Sequence, residues 1–140
     1  MFDMNDPRAA IIKALVVAVK NATGLGCYTR IPKQATGQTV YPFVYLSDMY
    51  LEEDGPKRDY HYSVTPVLQL QYKDQTDLTT FYSKMAAIMG IINNNDSLTI
   101  AAPFKLEEMK LESSTTTEFE DESGIVNVGI VRLDLLVSEQ

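Results

Sequence analysis

Few side chains in this sequence are equipped for catalysis, and their spacing decides what each could do. His61 is the only histidine, which rules out a metal site built from several imidazoles. No Ser or Cys nucleophile lies beside it in the sequence, and it falls on the polar side of an alternating stretch, so a surface histidine is expected. Cys27, the only cysteine, sits in GLGCYT. Without a second thiol it forms neither an internal disulfide nor a Cys-rich zinc site, and it reads as a small, semi-buried residue. Gly24 and Gly26 make a GxG without the later glycine or lysine that phosphate loops need, so they read as a helix stop. The acidic run EFEDES, Glu118–Ser123, lacks the alternating ligands and central glycine of an EF-hand loop and is expected to form a flexible hairpin tip. Asp48 with Glu52 could supply an acid/base pair, but no spacing singles them out. No catalytic residue, metal ligand or cofactor is assigned, and the chain is expected not to be an enzyme.

A different kind of chemistry is available in YLEEDGPKRD, Tyr50–Asp59. Glu52, Glu53 and Asp54 are followed, across a Gly55-Pro56 turn, by Lys57 and Arg58. On a projecting hairpin one loop offers both signs of charge, as a contact between molecules needs; as an ordinary solvated turn, the same charges pair locally for little energy.

The chain that must position these groups has 140 residues and a net charge of −7. That length suits a single domain, residues 1–140, able to bury roughly two thirds of its unfolded surface. No apolar run approaches the roughly 20 residues needed to cross a bilayer, and MFDMNDPRAA is acidic where a secretory signal is basic. A soluble, unprocessed chain in a reducing compartment is expected. Up to Asn95 nine acids balance nine bases, whereas from Asp96 onward ten acids face three bases. This argues against nucleic-acid affinity, which needs clustered Lys and Arg. The acidic last third reads either as a solvated face or as a lumen or partner-facing surface.

Hydrophobic periodicity then supplies the elements. Asp6-Pro7 is a helix start signal, with Asp as cap and Pro at the first helical position. Ile11, Ile12, Leu15, Val16 and Val19 follow as a helical stripe that Thr23-Gly24 ends. TRIPKQATGQ, Thr29–Gln38, reads as a mobile connection. In DYHYSVTPVLQLQYK, Asp59–Lys73, the residues Tyr60, Tyr62, Val64, Leu68, Leu70 and Tyr72 share one parity, the mark of a strand with one buried face. The strand is longer than a small sheet needs, so one end is expected to project, and Pro66 marks an edge or a bulge. Leu78, Phe81, Tyr82, Met85, Ile88, Met89 and Ile92 form a second helical stripe, with Asp74 or Thr76 as cap, closed by Asn93–Asp96. Two strands complete the chain, APFKLEEMKLES and GIVNVGIVRLDLLVSE, separated by polar SSTTTEFEDES. In each the apolar parity shifts midway, implying a bulge or a sheet covered on both sides, with the two strands paired across one bend. The fold class is α+β: an antiparallel or mixed β-sheet packed against two α-helices, with projecting hairpin loops. One core should gather Leu68, Leu70, Phe81, Met85, Ile88, Leu133 and Leu135.

This order of elements resembles the tail-terminator and tail-completion proteins of tailed bacteriophages. The resemblance is carried by Tyr41-Pro42-Phe43-Val44-Tyr45-Leu46, by Val67-Leu68-Gln69-Leu70-Gln71-Tyr72 directly before the second helix, and by the terminal Val131-Arg132-Leu133-Asp134-Leu135-Leu136-Val137. It makes Pro42 a strand-start proline, where no ladder N–H is missed. It implies a structural virion protein that forms a homo-oligomeric ring at the neck or upper tail, joining a head-side connector to tail proteins around the path of DNA. The chain would reside in the virion, and in the host cytoplasm during assembly. A closed ring needs a head-to-tail contact. The candidate interface residues are Glu52, Glu53, Asp54, Lys57, Arg58, Tyr60 and Tyr62, with Glu118, Glu120 and Asp121 of the acidic hairpin. The rival reading is a small acidic binding protein, a DNA mimic or an antagonist of a host enzyme, acting as a monomer or dimer.

Overall fold

The computed structural model describes residues 6–54, 61–73, 78–93, 98–121 and 124–139. Their order is α1 (Arg8–Thr23), β1 (Cys27–Tyr28), β2 (Phe43–Asp54), β3 (His61–Tyr72), α2 (Leu78–Met89), a 3₁₀ turn (Gly90–Asn93), β4 (Phe104–Asp121) and β5 (Gly124–Glu139). The strands form one sheet in the order β1-β2-β3-β5-β4. β1 runs parallel to β2 and every other pair is antiparallel. The molecule is thus α+β with a mixed sheet, as its periodicity predicts.

Local signals set the helix ends. Pro7 already has helical dihedrals, φ −77° and ψ −7°, and its carbonyl accepts the Ile11 N–H. The Asp6 carboxylate accepts the Arg8 N–H at 2.9 Å and so relieves one of the donors a helix start leaves unpaired. At the other end Gly24 adopts φ 76° and donates to the Lys20 carbonyl, a left-handed turn that glycine makes without a Cβ penalty. The Thr23 hydroxyl donates to the Val19 carbonyl and accepts the Leu25 N–H. Lys84 of α2 donates to the Thr23 carbonyl at 2.6 Å, which places a cation at the negative end of α1 and ties the helices together.

The sheet keeps its apolar residues on the helix side by two bulges. In β2 the pairing with β3 shifts between Leu46 and Asp48, so the helix-side residues change from Val44 and Leu46 to Met49 and Leu51. In β4 the pairing with β5 shifts between Leu106 and Glu108, moving that role from Leu106 to Met109 and Leu111. An extra residue is what a parity change requires. A second shift in β4 lies between Leu111 and Ser113. β5 behaves otherwise, because its register with β3 shows no shift between Asn127 and Ser138. Its parity change records a change in the covered face. Val131, Leu133, Leu135 and Val137 are buried with the helices, while Val126 and Val128 lie on the opposite face, where Val128 continues the row of Phe43 and Gln71. The two final strands are paired as expected, but not across one shared bend.

All seven residues expected in the core belong to it, with Ile11, Leu15 and Val19 of α1. Each such fully buried side chain contributes about 1.5–3 kcal/mol of hydrophobic free energy. Several expectations need correction. Pro66 is not at an edge: β3 is the central strand, Pro66 is buried opposite Met49, and the neighbouring bulge lies in β2. The β3–β5 ladder has no pairs at Thr65 and Pro66, which is how a central strand admits a residue without an N–H. The end of β3 does not project bare, because Tyr62 is flanked by Glu53 of β2 and Val137 of β5. Leu78 and Tyr82 are 45% and 52% exposed, so the α2 stripe is narrower than its sequence suggests, and Asp74 and Thr76 lie outside the described residues. The connection Thr29–Gln38 carries hydrogen bonds of its own. Hydrogen bonds join Gln34 to Gln38 and to Gly37, and Val40 to Pro32, around a bridge between Lys33 and Thr39.

Candidate assembly surfaces

The side chains with chemical potential are placed by the sheet. Cys27 lies in β1, 5% exposed, and burial pushes its thiol up to about 11, so at neutral pH it carries almost no nucleophilic thiolate. His61 opens β3, paired between Asp54 and Ser138. Among the described residues no three His, Cys, Asp or Glu side chains are grouped to hold a metal ion. No helix there is long and apolar enough to cross a membrane.

The candidate interface residues fall in different surroundings. Glu52 is exposed on β2 opposite Ser63, and the backbones of Glu53 and Asp54 pair with Tyr62 and His61. Lys57, Arg58 and Tyr60 lie outside the described residues. Tyr62 is enclosed by its own chain at 2% exposure and meets Phe104 edge-on, with centroids 6.5 Å apart; it serves packing rather than surface. Glu118 and Glu120 are exposed. Asp121 is drawn inward, accepting the Tyr41 hydroxyl at 2.9 Å and facing the Lys73 ammonium at 4.0 Å. Burial and the Asp121 carboxylate both hold the Tyr41 phenol above its ordinary pKa.

The sequence reading missed this contact across 80 residues, and its reason is topological. β2 and β4 are separated by two strands, roughly 14 Å at the usual strand spacing, so the end of the β4–β5 hairpin must curl back over the face opposite the helices. Tyr41 stacks on Phe43 there, with centroids 5.7 Å apart. Glu118–Asp121, expected in a flexible tip, is regular β4 paired with Gly124–Asn127.

Three surfaces remain for contact with other molecules. β4 is an edge strand of 18 residues whose outer backbone groups have no strand partner among the described residues. Such an edge is a template for pairing. The second surface is the hairpin end, where Ile125 opposes Glu120 and Asn127 opposes Glu118. Directly opposed residues share a face, so one face carries an apolar side chain, 40% exposed, beside two carboxylates. The third is a groove of about 710 Å³ lined on one side by Ala10, Ala14, Val17 and Ala18 of α1 and on the other by Ala87, Gly90, Ile91, Thr99 and Ala101. Its α1 side belongs to a basic part of the chain, since Pro7–Ser47 holds five bases and no acid.

Neither a protein-family model nor a curated protein matches this chain. Its fold is similar to that of a chain in the solved virion of a native gene transfer agent (GTA) particle, with a TM-score of 0.72 and 12% identity. The likeness covers 98% of this chain and 100% of that one. At this identity it is a likeness of fold.

Proposed function

We propose that this chain is a structural protein of a phage-like virion, forming a ring at the neck or upper tail that joins a head-side connector to tail components. The observation that carries this reading is the fold shared, end to end in both chains, with a component of a virion particle. The resemblance of Tyr41–Leu46, Val67–Tyr72 and Val131–Val137 to tail-terminator and tail-completion proteins supports a place at the neck or upper tail. Such a role needs no catalytic chemistry. It needs unlike surfaces that meet around a closed rotation, and the acid-free Pro7–Ser47 segment and the acidic β4–β5 hairpin are unlike in sign. Facing acids would also let DNA slide through a lumen, because its phosphates are repelled rather than held. The two-sign stretch Glu52–Arg58 remains a proposed contact.

Sedimentation and electron micrographs of the purified chain, alone and with tail-free heads, test the reading. Annular particles, or annuli seated on the heads, are the expected result. A chain that stays monomeric under both conditions and instead binds a basic protein tightly would replace the ring with the acidic binding protein.

A further inference from the structure

We infer that the groove between α1 and the side formed by Ala87, Gly90, Ile91, Thr99 and Ala101 receives the β4–β5 hairpin of a second copy of this chain, with Ile125 among the alanines and Glu118 and Glu120 facing Lys13 and Lys20. The inference rests on the ring reading and names its contact.

The groove is built to accept a side chain. Its walls are Ala10, Ala14, Ala18, Ala87 and Gly90, and a Cβ added at Gly90 would meet nothing within 4 Å. Val17, at its lining, is 59% exposed, an apolar group that the chain's own packing does not use. Lys13 lines the groove, and Lys20, seven residues on, lies on the same side of α1. The two are about 10 Å apart along the helix. Neither makes an ion pair among the described residues.

The hairpin carries the complementary pattern. Ile125 is a branched apolar residue at 40% exposure, directly across from Glu120. Glu118 is two residues away on the same face, about 7 Å along the strand. Long lysine side chains span the difference between the two spacings. Neither glutamate makes an ion pair among the described residues. If groove met groove, or hairpin met hairpin, like charges would oppose one another, whereas groove against hairpin opposes unlike charges. That contact is head-to-tail, the type that generates rings.

Cysteine cross-linking in full-length chains tests it. Native Cys27 is buried and stays in place, with oxidised wild type as the background. Val17→Cys chains mixed with Ile125→Cys chains should give a disulfide dimer that neither gives alone, and the double variant should give a ladder. Lys13→Glu with Lys20→Glu should cut the dimer at least tenfold, and Glu118→Lys with Glu120→Lys on the Ile125→Cys chain should restore part of it. Gly90→Phe, whose Cβ would meet nothing within 4 Å and whose ring would take up groove space, should block the dimer while leaving the melting temperature close to wild type. Wild type that sediments as a ring without the mixed cross-link overturns the groove contact and leaves the ring. Wild type that never assembles, with heads or without, overturns both. Val17→Cys chains that link to themselves, or to the head-side connector, overturn the assignment of the hairpin as occupant.

Discussion

Gly129 of β5 is where α2 presses on the sheet, and adding one methyl there should destabilise the protein. A Cβ on Gly129 would collide with the Met85 sulfur and stand 2.8 Å from its Cε. Met85 is itself 2% exposed, so its flexible side chain has little room to retreat. Overpacking of this kind costs about 1–3 kcal/mol. Gly129 is not among the positive-φ glycines, so alanine fits the backbone and recovers about 0.4–1 kcal/mol by restricting the unfolded chain. The net expectation for Gly129→Ala is a loss of about 1.5 kcal/mol, or about 6 °C in melting temperature for a domain of this size. Thermal melts followed by circular dichroism, with urea titrations alongside, measure it. Met85→Ala alone should cost about 2–5 kcal/mol by leaving a cavity. Combined, the two should cost less than their sum by about 1 kcal/mol, since the new methyl occupies space the sulfur has left. A Gly129→Ala protein that melts at or above wild type, or two losses that simply add, would refute the close contact of α2 with β5.

Three further outcomes are expected. Leu70→Ala and Phe81→Ala each remove a buried side chain from the common core and should lower stability by about 2–5 kcal/mol in urea titrations; losses below about half a kcal/mol at both would contradict the face assignment. Cys27 should resist a thiol reagent at pH 8 in the native protein and react at once in urea. Its pKa is raised on folding, so its stabilising contribution is complete below the unfolded thiol's pKa, near 9, and is lost as pH rises through about 11; Cys27→Ala should remove that alkaline loss. Tyr41→Phe should cost about 1 kcal/mol, in the range of a single net hydrogen bond, and Asp121→Asn should weaken the same contact; calorimetry of the two and of the double variant should show sub-additive losses.

The elements legible in the sequence were those whose signal is local. Helical spacing located both helices, Asp6-Pro7 and Thr23-Gly24 located the ends of α1, and the parity of Tyr62 to Leu70 located β3. The parity break at Leu106/Met109 foretold a bulge that is there. The matching break from Leu46 to Met49 went unread because Asp48 and Tyr50 blur it. Pro66 signals the bulge that lies beside it in β2 but not its central place in the sheet, because a proline reports only its own missing N–H; which neighbour surrenders a ladder bond depends on strand order. The polar SSTTTEFED shows no strand pattern in the sequence, although it is regular β4, since a solvated edge strand carries no apolar face to alternate. Of the candidate surfaces, acidic Glu118 and Glu120 could be named from charge. The groove could not, because alanines and glycines leave no mark of exposure until two helices are set side by side.

The open side of β4 has a consequence for the chain before it finds any partner. The outward backbone groups of this strand of 18 residues, which lack a strand partner among the described residues, invite a second such strand to dock, and a newly made molecule must survive that invitation in a crowded solution. Glu107, Glu108, Glu112, Glu118 and Glu120 crowd the strand with negative charge against only Lys105 and Lys110, so two of these edges approaching each other are pushed apart. The guard has a range of only one screening length. In molar salt, where that length shrinks to about 3 Å, the repulsion fades while the backbone's appetite for hydrogen bonds does not. Concentrated stocks held at high ionic strength should therefore cloud slowly with strand-rich aggregate, and dilution into low salt should keep them clear.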